Sequence, residues 1–213
     1  MTTLLCVTRG AARTERLLGD MERLTQELCW QFVIALDGKT LPRVYDAKIV
    51  PVVSKGYIGS VLDEAVAACD DDYILRIDDD ERVSPAMAEW LKEADWHTSD
   101  NWAFYRQCFI RDESQYLTTP PWYPDYQTRF SVKAKSDRRP LPHDASPYGF
   151  GTIVPVAIEH HELLVKSYEE RWQFFQRLSQ ARGQNMSDHE AQLWQPESWP
   201  ELVQVHPYSG GTV

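Results

Sequence analysis

The sequence predicts a single α/β domain built on a mostly parallel sheet flanked by helices. Three observations predict it. Short β-rich apolar runs alternate with amphipathic helical stretches from residue 1 to residue 85, the pattern of a parallel sheet with helices packed on its faces. Several of these runs end in acidic or polar residues, and the carboxyl edge of an open α/β sheet is where ligands bind. The chain of 213 residues has no Gly/Ser-rich or Pro-rich linker, so it buries one sizeable core.

Leu4 to Val7 reads as the first strand, with Thr8-Arg9-Gly10 as a polar, cationic turn at its carboxyl end. Between Arg13 and Leu28, Leu17, Met21, Leu24 and Leu28 share one helical stripe, and the charged residues fall largely elsewhere. Phe32 to Leu36 is a second buried strand that runs into Asp37-Gly38-Lys39, and Lys48 to Val53 is a third. Ser54-Lys55-Gly56 then opens a helix on which Ile58, Val61, Leu62, Ala65 and Val66 recur at helical spacing.

The central strand is Tyr73 to Ile77, and Asp78, Asp79, Asp80 and Glu81 follow it. Four adjacent carboxylates repel one another, so a cation or a basic ligand is expected beside them. In an extended segment Asp78 and Asp80 point the same way, which lets them share one hard metal ion. The stretch also reads as a solvated acidic turn before a helix, with Ser84 as N-cap and Pro85 at the first helical position. Both can hold together.

Beyond the turn, Ala86 to Ala94 is expected to be a helix with Met87, Trp90 and Leu91 facing inward. Trp102 to Ile110 and Tyr126 to Val132 read as strands, separated by a proline-rich extended loop from Thr118 to Pro124. Lys133 to Pro147 has the composition of a functional or mobile loop. Ser167 to Arg182 reads as a helix burying Tyr168, Trp172, Phe175 and Leu178, with Glu169, Glu170, Arg171 and Arg177 outside. The expected division is a domain over 1–182, in halves 1–85 and 86–182, followed by an irregular Trp/Pro-containing tail over 183–213 packed on it.

A formal net charge of −10 argues against a broad nucleic-acid-binding surface. Lys133, Lys135, Arg138 and Arg139 nonetheless form one local basic cluster. The four cysteines, Cys6, Cys29, Cys69 and Cys108, show no CxxC spacing, and with no secretory signal they read as reduced thiols of a soluble, cytoplasmic protein. No apolar run reaches the length of a transmembrane segment.

Leu36-Asp37-Gly38, the helix from Gly59 to Cys69 leading into Asp72 to Pro85, and the run Tyr123 to Phe130 together resemble the inverting family 2 glycosyltransferases with a GT-A fold. The resemblance continues through His143-Asp144 and His160-His161 to Ser167-Tyr168-Glu169-Glu170, covering most of residues 1–180. It implies a GT-A-like domain: a nucleotide-sugar-binding half, a smaller acceptor-side β portion and a C-terminal helix. It also implies that Thr8, Arg9 and Asp37 lie near the base and ribose of the donor. Asp78 and Asp80 match the outer aspartates of the family's DxD-type motif, with Asp80 the metal ligand, and Asp78 and Asp79 fall on the donor side. Two departures stand out. Leu62 takes the place where an arginine often reaches the diphosphate, leaving Lys55 as a replacement, and His143-Asp144 stands where related enzymes have His-Glu.

Transfer of a sugar from a nucleotide diphosphate needs a neutralised leaving group, a base for the acceptor hydroxyl and exclusion of water. Mg²⁺ or Mn²⁺ on Asp80 serves the first need, with an imidazole from His161 or His160, which Mn²⁺ tolerates better. Two exposed histidines at a strand end are the alternative account. Asp144 is the first candidate base and Asp125 the second, although both also fit ordinary turn chemistry. Trp122, Tyr123 and Tyr126 offer flat faces to a sugar ring or simply pack. Arg129 suits either the acidic cluster or a phosphate. The expected donor is a nucleotide sugar, a UDP-sugar by preference, and the expected acceptor a saccharide or glycolipid, with a hydroxymethylated DNA base less favoured. A nucleotidyltransferase or a non-catalytic nucleotide-sugar-binding module remain the competing classes.

Overall fold

The computed structural model describes residues 1–38, 40–120, 122–136, 151–182, 196, 204–208 and 210. Its first half is an alternating α/β unit. β1 (Thr2–Thr8), α1 (Glu15–Leu28), β2 (Gln31–Leu36), β3 (Lys48–Pro51), α2 (Leu62–Ala67) and β4 (Tyr73–Arg76) follow in chain order. The four strands lie side by side as β3-β2-β1-β4, all parallel. β2 and β4 flank β1 on opposite sides, so the order reverses there. The carboxyl ends of β1 and β4 thus meet at the topological switch point, the place at which such sheets take ligands.

β1 is buried along its whole length because both of its faces are covered. Leu4 and Cys6 join the cluster that includes Leu18 and Met21 of α1. Leu5 and Val7 turn to the opposite cluster, with Leu62, Ala65 and Val66 of α2. Leu62 is therefore a core residue.

The second half extends the same sheet. β5 (Glu81–Val83) and α3 (Pro85–Glu93) lead to β6 (Asn101–Ile110), β7 (Asp112–Leu117) and β8 (Tyr126–Val132). They are followed by β9 (Thr152–His160), α4 (Glu162–Val165), α5 (Tyr168–Arg182) and β10 (Val205–Pro207). β8 runs antiparallel between β4 and β6, while β9 runs parallel to β6 on its other flank and carries β5. β7 folds back on β6, and β10 adds to β7. The α/β class, the flanking helices, the smaller antiparallel part and the C-terminal helix are as expected.

α3 begins as the sequence indicates: the Ser84 hydroxyl accepts from the Met87 amide at 3.1 Å and Pro85 opens the helix. β7 was not expected, and β9 was anticipated only at its end, as the strand end carrying the two histidines. β7 is mostly polar, and β9 contains Pro155. The proline is accommodated by a register shift, since Val154 pairs with Phe104 but Ala157 with Tyr105, leaving Pro155 out of the ladder. α5 also differs from its expected stripe. Arg171 is buried and donates to the Lys166 carbonyl at 2.9 Å, whereas Tyr168 is exposed. The helical period of apolar residues does not register a buried, hydrogen-bonded arginine of this kind.

Candidate active site

The chain leaves β4, turns at Asp79-Asp80 and re-enters a strand at Glu81. That turn breaks the alternation on which a shared ion between Asp78 and Asp80 depended. Asp78 accepts from Arg129 Nη2 at 2.8 Å and lies 3.6 Å from Arg76 Nε. Asp80 faces Lys166 and His160 instead. Asp79 takes a third direction, accepting from the Thr8 hydroxyl at 2.7 Å, and thereby ties the end of β1 to the end of β4.

The repulsion among these carboxylates is met by the protein's own cations. Glu81, fully buried, receives both Nε and Nη2 of Arg129, and Arg106 Nη1 lies 3.8 Å away. Burial pushes the Glu81 carboxyl up despite Arg129. Asp79 is raised by burial and by the charge of Asp80. Burial also opposes ionisation of Asp80, yet the Lys166 ammonium outweighs it and holds that carboxyl well below the usual range.

Asp80, His160 and Glu162 form the group that can hold a metal ion among the described residues, one ligand atom from each lying within 4.8 Å of the others. β9 delivers His160 at its end, and α4 begins with Glu162 two residues later. His160 Nε2 stands 3.7 Å from Asp80 Oδ1 and 3.8 Å from Glu162 Oε2, while Nδ1 is turned to the Cys108 sulfur at 3.3 Å. Burial and Arg106 push the His160 imidazole well below its ordinary value, which keeps it in the neutral, ligating form. Two carboxylates and a neutral imidazole suit a hard to intermediate divalent ion. The Lys166 ammonium reaches into the same group, bonded to Asp80 and 3.1 Å from Glu162.

His161 is not brought to this group. Adjacent side chains at a strand end diverge, and its ring faces Glu159 at 3.3 Å and Glu113 at 3.7 Å while stacking on Phe109. Neither histidine is exposed. Glu159 itself is buried among Arg82, His161 and the Tyr208 hydroxyl on the far side of β9 from His160.

At the carboxyl end of β2, Asp37 accepts from the Ser54 amide at 2.9 Å and from the Ser54 hydroxyl, with Arg9 Nε at 3.5 Å. Burial raises the Asp37 carboxyl, but these donors bring it below the ordinary value. The two turns meet closely: a Cβ on Gly10 would stand 2.3 Å from the Thr40 carbonyl oxygen, and one on Gly38 2.7 Å from that of Arg9. Gly10 also has φ +69°, which only glycine adopts without strain. Lys55 is exposed on the loop after β3, where its amide donates to Ser60 Oγ.

On the opposite side, Asp125 is engaged through both oxygens, with Arg106 on Oδ2 at 2.7 Å and Gln127 on Oδ1 at 2.7 Å. Tyr126 packs on Tyr105, 4.6 Å between ring centroids, and Tyr105 stacks with Tyr123. Trp122 packs with Leu163 against Cys108, Ile110 and Leu117, next to the His160 side chain. Asp144 lies outside the described residues. Glu162, Lys166, Arg106 and Cys108 were not anticipated as site residues. The string His-His-Glu-x-x-x-Lys from residue 160 to 166 was the available signal for the first two. The others come from β6 and carry no local pattern.

No family model matches the chain, and no curated protein matches it. Among solved structures, S. aureus TarS 1–349 aligns at a TM-score of 0.50 and 12% identity, covering 89% of this chain and 67% of that one. A second S. aureus TarS structure aligns at 0.39 and 14% identity over 62% of this chain, which spans 28% of its length. HddC from Yersinia pseudotuberculosis aligns at 0.42 and 10% identity, over 83% and 97% of the two chains. At such identities the likeness to TarS 1–349 is one of fold alone. Among the described residues no helix is long and apolar enough to cross a membrane.

Proposed function

We propose that the protein is a metal-dependent inverting glycosyltransferase that moves a sugar from a nucleotide-diphosphate sugar to an acceptor hydroxyl. The observation that carries this is Asp80: a buried carboxylate at the topological switch point of the sheet, grouped with the His160 imidazole and the Glu162 carboxylate. The fold shared with TarS, a glycosyltransferase, adds support at the level of architecture.

In this proposal Asp80, His160 and Glu162 would hold Mn²⁺, which accepts an imidazole beside carboxylates more readily than Mg²⁺ does. Bound there, the ion supplies positive charge to the departing diphosphate. Asp37, with Arg9 and Ser54, receives the nucleoside of the donor, a UDP-sugar by preference, and the Thr8-Asp79 pair closes the floor between the two strand ends. Lys55, on the exposed loop, lends charge to the phosphates. Arg129 fixes Asp78 and Glu81 so that the turn keeps its shape. Asp144 takes the acceptor proton, since both oxygens of Asp125 are already committed. Trp122 and Tyr126 offer ring faces to a saccharide or glycolipid acceptor.

Isothermal calorimetry of UDP-sugars with and without Mn²⁺ tests this. Binding that needs Mn²⁺ and disappears in Asp80→Ala supports the proposal; tight binding indifferent to both changes sinks it. Release of pyrophosphate from a nucleoside triphosphate and a sugar phosphate would move the protein to the nucleotidyltransferases.

A further inference from the structure

Lys166 occupies an unusual position for a side chain in this site. Its ammonium bonds Asp80 and sits 3.1 Å from Glu162, the two carboxylates of the candidate metal group. Its backbone is held: the amide donates to the Glu162 carbonyl at 2.9 Å, and the carbonyl accepts from buried Arg171 at 2.9 Å. The side chain is less confined, being one-quarter exposed, with the Phe174 ring centroid 5.9 Å from its nitrogen. The ammonium can therefore leave the carboxylates by rotation of its stem while α4 and α5 stay in place.

An ammonium and a divalent cation cannot both neutralise the same pair of carboxylates at contact distance, because they repel each other there. With the ion on Asp80 and Glu162, two positive charges meet two negative ones, and Lys166 becomes a surplus cation at the edge of the site. A diphosphate is the anion that offsets it.

Resting on the metal proposal above, we infer that Lys166 is a donor-positioning residue that holds the metal carboxylates in the absence of a divalent ion and passes to the donor diphosphate when one binds. It makes metal alone bind weakly and metal with diphosphate bind strongly. The two ligands are coupled through one side chain.

The test measures Mn²⁺ affinity of the full chain by electron paramagnetic resonance, then inorganic pyrophosphate affinity at saturating Mn²⁺. Pyrophosphate carries the diphosphate without a base, so it does not depend on which nucleotide the donor contains. Lys166→Met should bind Mn²⁺ alone about tenfold more tightly and pyrophosphate about tenfold more weakly, and Lys166→Arg should restore pyrophosphate binding. A residue that merely supports the fold would weaken both. Unchanged or weaker Mn²⁺ binding by Lys166→Met, or undiminished pyrophosphate binding, overturns the inference. Lys166→Gln, which keeps a hydrogen-bond donor, repeats the measurement if Lys166→Met folds poorly by circular dichroism. Asp80→Ala separates the two levels: Mn²⁺ binding that survives it sinks the metal proposal itself, whereas Asp80-dependent binding indifferent to Lys166 sinks only the role of Lys166.

Discussion

Arg129 grips Glu81 with a two-pronged hydrogen bond, Nε to Oε2 at 3.0 Å and Nη2 to Oε1 at 2.7 Å, both partners being buried. The pair sits beneath the acidic turn and reaches Asp78 through the same Nη2. Removing one member of such a pair leaves a buried charge without its partner. Arg129→Met should therefore cost about 3–5 kcal/mol. Replacing both residues by apolar ones of similar volume should cost less than Arg129→Met alone. Urea denaturation of the two variants and the wild type measures the difference.

Asp78 and Asp80 should part company on mutation. Asp80→Asn should abolish Mn²⁺ binding, because Asp80 is in the metal group and Asp78 is not. Asp78→Asn should retain Mn²⁺ binding and lose stability instead, by about 1–3 kcal/mol, since Arg129 then lacks one charged acceptor. Calorimetric Mn²⁺ titration paired with thermal melting reads both effects. Equal loss of Mn²⁺ affinity in the two variants would mean that they share the ion after all.

Thiol chemistry should single out Cys29. It is exposed, whereas Cys6, Cys69 and Cys108 are buried. Burial pushes Cys108 up to about 12 and Cys69 to about 11, so neither forms the reactive thiolate at neutral pH. A disulfide-exchange reagent should label one cysteine per native molecule rapidly and all four only after denaturation. Cys29→Ser should remove the fast phase.

Acid should weaken the far side of β9 through Glu159. Burial raises this carboxyl, but His161, Tyr208 and Arg82 outweigh it and bring it below its ordinary value of 4.5. A depressed carboxyl contributes stability that is present above the unfolded value and is lost as pH falls through the folded one. The wild type should thus lose stability below about pH 4.5, and Glu159→Gln, less stable at neutral pH, should show a shallower decline there. Melting temperatures between pH 3 and pH 7 give the comparison. Parallel curves for the two proteins would remove Glu159 from the account.

The local pattern of residues 1–85 was enough to determine the first half. Apolar runs of strand length alternating with amphipathic stretches leave few ways to bury both faces of β1 and β2. The N-cap at Ser84 and the position of the acidic turn were equally local. β7 and the course of β9 were not legible, because a polar strand and a strand broken by Pro155 have no periodic signature of their own and exist through pairing with β6.

The acidic turn divides in the same way. Its charge and its place at the end of β4 are matters of sequence. Which carboxylate faces which cation was decided in three dimensions, since Arg129 and Arg106 arrive from β8 and β6 and Lys166 from beyond α4. Sequence spacing governs contacts made within one strand or helix. Electrostatic partnership falls off with distance through space, and only the folded sheet brings residues 78 to 81 to residues 106, 129, 160, 162 and 166.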